Sequence, residues 1–94
     1  MPSVSLTLIG KPACHLCDDA RDAVRGVLDE LAASGDPVEA AIEVEVTELS
    51  ILDNPALMDE FAEEIPVVMI DGRIHTIWRV ERARLRTALR EAAS

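Results

Sequence analysis

The 94 residues predict an α/β domain: a four-stranded mixed sheet with helices on its faces, in the order β-α-β-α-β-β-α. Three observations carry this. A short apolar run, Val4 to Ile9, ends at Gly10-Lys11-Pro12, and the apolar period then changes to that of a helix. Ala41 to Glu48 alternates apolar and polar residues with the period of a strand. Asp71-Gly72 separates two further apolar runs and is a strong signal for a two-residue hairpin, whose turn needs positive φ.

Each element follows from its own residues. Val4 to Ile9 is the first strand. Beyond Cys14 the residues Leu16, Ala20, Val24, Val27, Leu28 and Leu31 share one helical face. Gly35 is expected to close this helix as a C-terminal cap, with Pro37 just beyond. In the second strand Ile42, Val44 and Val46 face one side, and Glu43, Glu45 and Thr47 the other. Those charges suit a sheet edge, where they discourage strand addition. Asn54-Pro55 reads as an N-cap followed by proline at the first helical position, opening a short helix with Leu57, Met58 and Phe61 inward. Pro66 to Ile70 and Arg73 to Trp78 form the hairpin. A last helix runs from Val80 to Ala92, with Leu85, Ala88, Leu89 and Ala92 inward. Strands joined through a helix should be parallel, and the hairpin strands antiparallel.

Length and composition bound the rest. Residues 1–94 suit one domain. The 49% hydrophobic fraction is that of a globular chain, and with Phe61 and Trp78 as the aromatics the core must be aliphatic. The formal net charge is −9, which argues against nucleic acid as a partner. Residues 79–94 nevertheless hold five arginines against two glutamates, either a solvated helix face or a docking patch. Met1 to Ile9 lacks a signal peptide's basic start and long apolar stretch, and no run is long enough to span a membrane. A cytoplasmic monomer is expected. Ordinary thiols there are kept reduced, and a staple closing so short a loop would add little stability.

Chemistry is therefore sought at Cys14-His15-Leu16-Cys17, where the first strand ends and the first helix begins. The first turn of a helix has unpaired N–H groups and the positive end of the dipole. A thiolate there is stabilised, and its pKa falls below the free value of ~8.5. Cys14 lies nearer the helix start and is assigned as nucleophile. Cys17, one turn on and on the inward face, is assigned as the resolving thiol that attacks a mixed disulfide on Cys14. Lys11 is the nearest cation; Asp18, Asp19 and Asp22 oppose it. His15 either tunes Cys14 or is simply solvated. Other readings of a lone Cys-x-x-Cys are a chance pair or part of a zinc site. His15 and His75 are the only histidines, and His15, lying between the cysteines, is poorly placed to join them on one ion. Ile65-Pro66 opens an apolar strand, where a proline that cannot donate belongs. Trp78 is expected to pack at a strand end, with a substrate platform as the alternative.

A Cys-x-x-Cys after strand one, followed by Ile65-Pro66 opening a hairpin, resembles the glutaredoxin–thioredoxin superfamily, and Gly10-Lys-Pro-Ala-Cys-His-Leu-Cys-Asp-Asp19 is most similar to short bacterial glutaredoxin-like proteins. The resemblance implies a thioredoxin fold, a cis Pro66 beside the cysteines, substrate main chain pairing with Ile65, and Lys11 meeting a glutathione carboxylate. It implies no bound cofactor. It departs from the family in two places: His15-Leu16 replaces the usual Pro-Tyr, and His75-Thr-Ile-Trp-Arg79 lacks the usual glycine pair. The expected function is reduction of protein or low-molecular-weight disulfides, with glutathione, another small thiol or a reductase as electron donor. The alternatives are a metal or iron–sulfur carrier using the same pair, and a non-enzymatic adaptor.

Overall fold

The computed structural model describes residues 3–94. The chain runs β1 (Ser3–Gly10), α1 (His15–Ala32), α2 (Pro37–Ala40), β2 (Glu43–Ser50), α3 (Pro55–Phe61), β3 (Val67–Ile70), β4 (Arg73–Ile77) and α4 (Arg82–Ala93). The sheet order is β2-β1-β3-β4, with β1–β2 parallel and β1–β3 and β3–β4 antiparallel. This is the mixed α/β architecture expected from the sequence. Among the described residues no helix is long and apolar enough to cross a membrane.

The strand period sorts the core into two layers. Val4, Leu6 and Leu8 of β1 and Val68 and Ile70 of β3 face α1 and α4, meeting Ala20, Val24, Val27, Leu31, Leu85 and Leu89. Ile9 and Val67 have the opposite parity and meet Ile51 and Phe61, with Leu57, Met58, Ile65 and Ile77 around them. The α1–α4 crossing is close at Gly26, where a Cβ would come within 2.5 Å of the Arg82 guanidinium.

The cap of α3 and the hairpin turn fall where expected. Asn54 accepts from Ala56 N at 2.9 Å with Pro55 in the first turn of α3. Asp71 and Gly72 take φ of 49° and 82°, the pairing a right-twisted hairpin requires.

Four expectations are corrected. The cap of α1 is Ala33, whose N–H reaches Asp29 O at 3.0 Å, and Gly35 is not at positive φ. Ser34 makes the turn instead, accepting from Asp36 N and donating to Glu39. A short helix, α2, capped by Asp36, follows and delays β2 by two residues. Leu16 is exposed, because Cys17 takes the inward position and Leu16 sits about 100° around the helix from it. Finally, α4 begins at Arg82 rather than Val80, after a turn at Trp78.

Two of the four arginines of α4 are tied within the molecule. Arg86 donates to both carboxylate oxygens of Glu39, at 2.8 and 3.1 Å, and Arg90 lies 3.6 Å from Asp36 and 3.8 Å from Glu39. Glu39 is buried on α2, and hydrogen bonds from Arg86 and then Ser34 lower its pKa to about 2.

Candidate active site

β1 ends at Gly10, and Lys11, Pro12 and Ala13 carry the chain to α1. Ala13 has φ of 55°, a left-handed conformation that an L side chain rarely adopts. Cys14 is the N-cap of α1, with extended φ and ψ, and its Sγ accepts from Cys17 N at 3.3 Å. A sulfur thus takes the place usually held by a Ser or Asp oxygen, on the positive end of an 18-residue helix. Cys14 and Cys17 are joined as a disulfide, with Cα atoms 5.2 Å apart.

The two sulfurs have different surroundings. Cys17 is 2% exposed, while Cys14 is only half-buried. Cys17 is seated against Gly10: a Cβ there would lie 2.9 Å from Cys17 Sγ and 3.2 Å from its Cβ. The Gly10 carbonyl in turn accepts from Ile51 N at 2.9 Å, which fixes the loop after β2 against the same corner. Sequence reasoning treated Gly10 as the end of a strand. Its role against Cys17 has no local sequence signal, because it depends on where α1 returns.

A groove of about 410 Å³ adjoins Cys17, lined by Gly10, Lys11, Pro12, Asp18, Arg21, Glu48, Leu49, Ser50 and Asp53 among others. Arg21 spans it, donating to Glu48 at 2.6 Å and to Asp18 at 2.9 Å. These bonds, that to Glu48 foremost, raise the Arg21 pKa above its ordinary value. Asp18, one of the acids expected to oppose the thiolate, is thus paired with a residue the sequence reading did not single out.

The other candidates are placed as follows. Lys11 is exposed at the groove. His15 is at the surface, its side chain 91% exposed and Nε2 3.8 Å from Asp19. Pro66 is fully buried and the Ile65–Pro66 bond is cis. Ile65 is half-buried. His75 lies on β4 in a hollow with Arg84 and Thr87, and burial, then Arg84, lowers its pKa. Trp78 is 55% exposed, so the expectation that it packs at the strand end is met only in part.

The arrangement can carry thiol–disulfide exchange: one accessible sulfur on a helix N-terminus and a second, buried, within bonding distance. Among the described residues no group of three or more His, Cys, Asp and Glu side chains is disposed to hold a metal ion.

Solved structures share this fold. The structural-genomics target XcR50 from X. campestris is 30% identical, superposes with a TM-score of 0.64, and is matched over 95% of this chain and 99% of that one. A malarial protein at 11% identity has the same fold, with a TM-score of 0.61 over 97% of each chain. The uncharacterized protein Rv0508 of Mycobacterium tuberculosis (strain ATCC 25618 / H37Rv) and the uncharacterized protein Mb0520 of Mycobacterium bovis are each 28% identical over 86 residues, covering 92% of this chain and 82% of theirs. The model of the Glutaredoxin-like domain (DUF836) matches residues 5–90, and with the Cys14–Cys17 pair at the head of α1 the chain belongs to this glutaredoxin-like family of the thioredoxin fold.

Proposed function

We propose that the protein is a dithiol–disulfide oxidoreductase acting on protein or low-molecular-weight disulfides. The observation that carries this is the unequal pair at the head of α1: Cys14 Sγ capping the helix, with Cys17 buried behind it. In the reduced protein the Cys14 thiolate attacks one sulfur of a substrate disulfide. That S–S bond breaks, a mixed disulfide forms on Cys14, and the first substrate sulfur leaves as a thiolate that takes up a proton. Cys17 then gives up its proton and attacks Cys14 Sγ. The mixed disulfide breaks, the second substrate thiolate leaves, and the Cys14–Cys17 bond forms. The substrate gains two electrons and the protein loses two. A low-molecular-weight thiol such as glutathione, or a partner reductase, restores the dithiol.

Lys11 meets anionic groups of the substrate, the Ile65 backbone pairs with its main chain, and Pro66 shapes the contact beside the disulfide. His15, on the outer surface of the first turn, adds positive charge near Cys14 when protonated. The setting is the cytoplasm, where a reduced thiol pool can drive the cycle.

The test is turnover of insulin and of 2-hydroxyethyl disulfide by wild type, Cys14→Ser and Cys17→Ser, with a dithiol as the final reductant. Wild type should reduce both substrates and Cys14→Ser neither. Equal rates for wild type and Cys14→Ser would overturn the proposal.

A further inference from the structure

Trp78, the one tryptophan of the chain, is held in an expensive conformation. Its φ is 66°, and Arg79 N donates to Ile77 O at 2.8 Å, so Trp78 is the central residue of a γ-turn of the rare positive-φ kind. For a bulky side chain this is an outlier, and such residues persist only where their surroundings over-determine them. Here they do. Trp78 N donates to Pro66 O at 2.8 Å, and the indole Nε1 donates to Glu63 O at 3.0 Å. These contacts fix the ring but do not bury it. It stays 55% exposed, whereas an indole serving the core would be expected to bury most of its surface.

Its position is informative. Ile77 and Val67 are paired, and Val67 in turn faces Ile9, so Trp78 lies at the end of the sheet from which the chain leaves β1 for Cys14. The segment that accepts the indole N–H is acidic. Asp59, Glu60, Glu63 and Glu64 follow closely along α3 and the turn after it, and no Lys or Arg occurs between Arg25 and Arg73. Arg79, exposed and next in sequence, is the opposing charge, but the indole N–H is directed to the Glu63 backbone.

We infer that Trp78 is a substrate-docking residue, and that it takes a Lys or Arg side chain next to the disulfide of a polypeptide substrate. The ring face attracts a cation, and the carboxylates at 59–64 add to that attraction. A fixed ring also loses little freedom on binding. This rests on the oxidoreductase reading above and narrows its substrate class to basic segments of proteins.

The test uses two peptide disulfides that differ only in Lys or Glu beside the cysteine, with 2-hydroxyethyl disulfide as a small neutral control. Wild type should prefer the Lys peptide by roughly tenfold in kcat/KM at low salt, and the preference should shrink as salt is raised. Trp78→Ala should lose roughly three- to tenfold on the Lys peptide, mainly through KM, and nothing on the small disulfide. Trp78→Phe, which keeps a ring, should recover most of the loss. Equal rates on the two peptides, or an equal loss on all three substrates, would overturn the inference. A second arm needs no turnover. The oxidised protein is titrated with the same peptides carrying Ser for Cys, and Trp78 emission is followed. A change with the Lys peptide alone supports docking, even if wild type reduces nothing and the oxidoreductase reading falls. No change with the Lys peptide overturns docking, even if the small disulfide is reduced normally.

Discussion

Ala13, directly before Cys14, should be less favourable than glycine at its own position. Its φ of 55° places an L side chain in left-handed space, at a cost of about 1–2 kcal/mol. Replacing it by glycine removes that cost but gives the unfolded chain more freedom, which offsets about 0.5–1 kcal/mol. The methyl is exposed, so little burial is lost. Ala13→Gly should therefore stabilise the fold by about 0.5–1 kcal/mol. Gly72 supplies the mirror experiment. Its φ is 82° and a Cβ there would meet nothing within 4 Å, so Gly72→Ala tests backbone conformation alone and should destabilise by about 0.5–1 kcal/mol. The assay is urea unfolding of both variants, oxidised and reduced. With m of about 1–1.5 kcal/mol/M for a chain of this size, the midpoint should move by about 0.5 M in opposite directions. A lower midpoint for Ala13→Gly, or a higher one for Gly72→Ala, would refute the reasoning, because the two share one cause with opposite sign.

Four further outcomes are expected. In the reduced protein, limiting alkylating reagent at neutral pH should label Cys14 before Cys17, since Cys17 is 2% exposed; mass mapping that finds Cys17 labelled first reverses the assignment. Cys17→Ser should accumulate a mixed disulfide on Cys14, seen by intact mass, because release needs the second thiol. Glu39 has a folded pKa of about 2 against an ordinary 4.5, so its contribution to stability is present above pH 4.5 and lost as pH falls toward 2; the melting temperature of Glu39→Gln should be lower than wild type at neutral pH and change less over that window. Deglutathionylation should be slow relative to reduction of a dithiol-type protein disulfide, because Arg21 is taken up by Asp18 and Glu48 and Lys11 is left with Asp53 in the same groove; a strong preference for the glutathione adduct, lost in Lys11→Ala or Arg79→Ala, would make the opposite case.

Elements whose cause is local could be read from the sequence. Asn54-Pro55 opened α3 and Asp71-Gly72 turned the hairpin because each needs only its neighbours for its hydrogen bond or its φ. The edge position of β2 was legible in Glu43, Glu45 and Thr47, and the place of Cys14 at the head of α1 in the change of period after β1. Features that depend on partners far along the chain could not be read. Gly35 looked like a helix cap, but Ser34 and Glu39 make that turn, and Glu39 owes its burial to Arg86, 47 residues away. The arginine excess of the last sixteen residues reads first as a solvated helix face, with a docking patch as the alternative. Arg86 and Arg90 instead hold α4 to α2, a third use that charge counts could not distinguish. The Gly10 seat of Cys17 and the turn at Trp78 are of the same kind. Each is a single residue whose meaning comes from what folds back against it.

On the proposed oxidoreductase reading, the difference in burial between the cysteines also bears on the order of exchange. A substrate approaches from solvent, and only Cys14 offers a sulfur on that side. Cys17 lies against Gly10 and the apolar face of α1, with Ala20 and Val24 beyond it. Once a mixed disulfide forms, attack by Cys17 comes from inside the protein and does not require the bound segment to vacate the surface first. A wall with no Cβ at Gly10 lets the second sulfur sit deep, while the Cα separation of 5.2 Å keeps it within reach of the first. A side chain at position 10 would have to displace Cys17 Sγ toward Cys14 or outward. Either movement would reduce the contrast in exposure that assigns one sulfur to meet substrate and the other to release it.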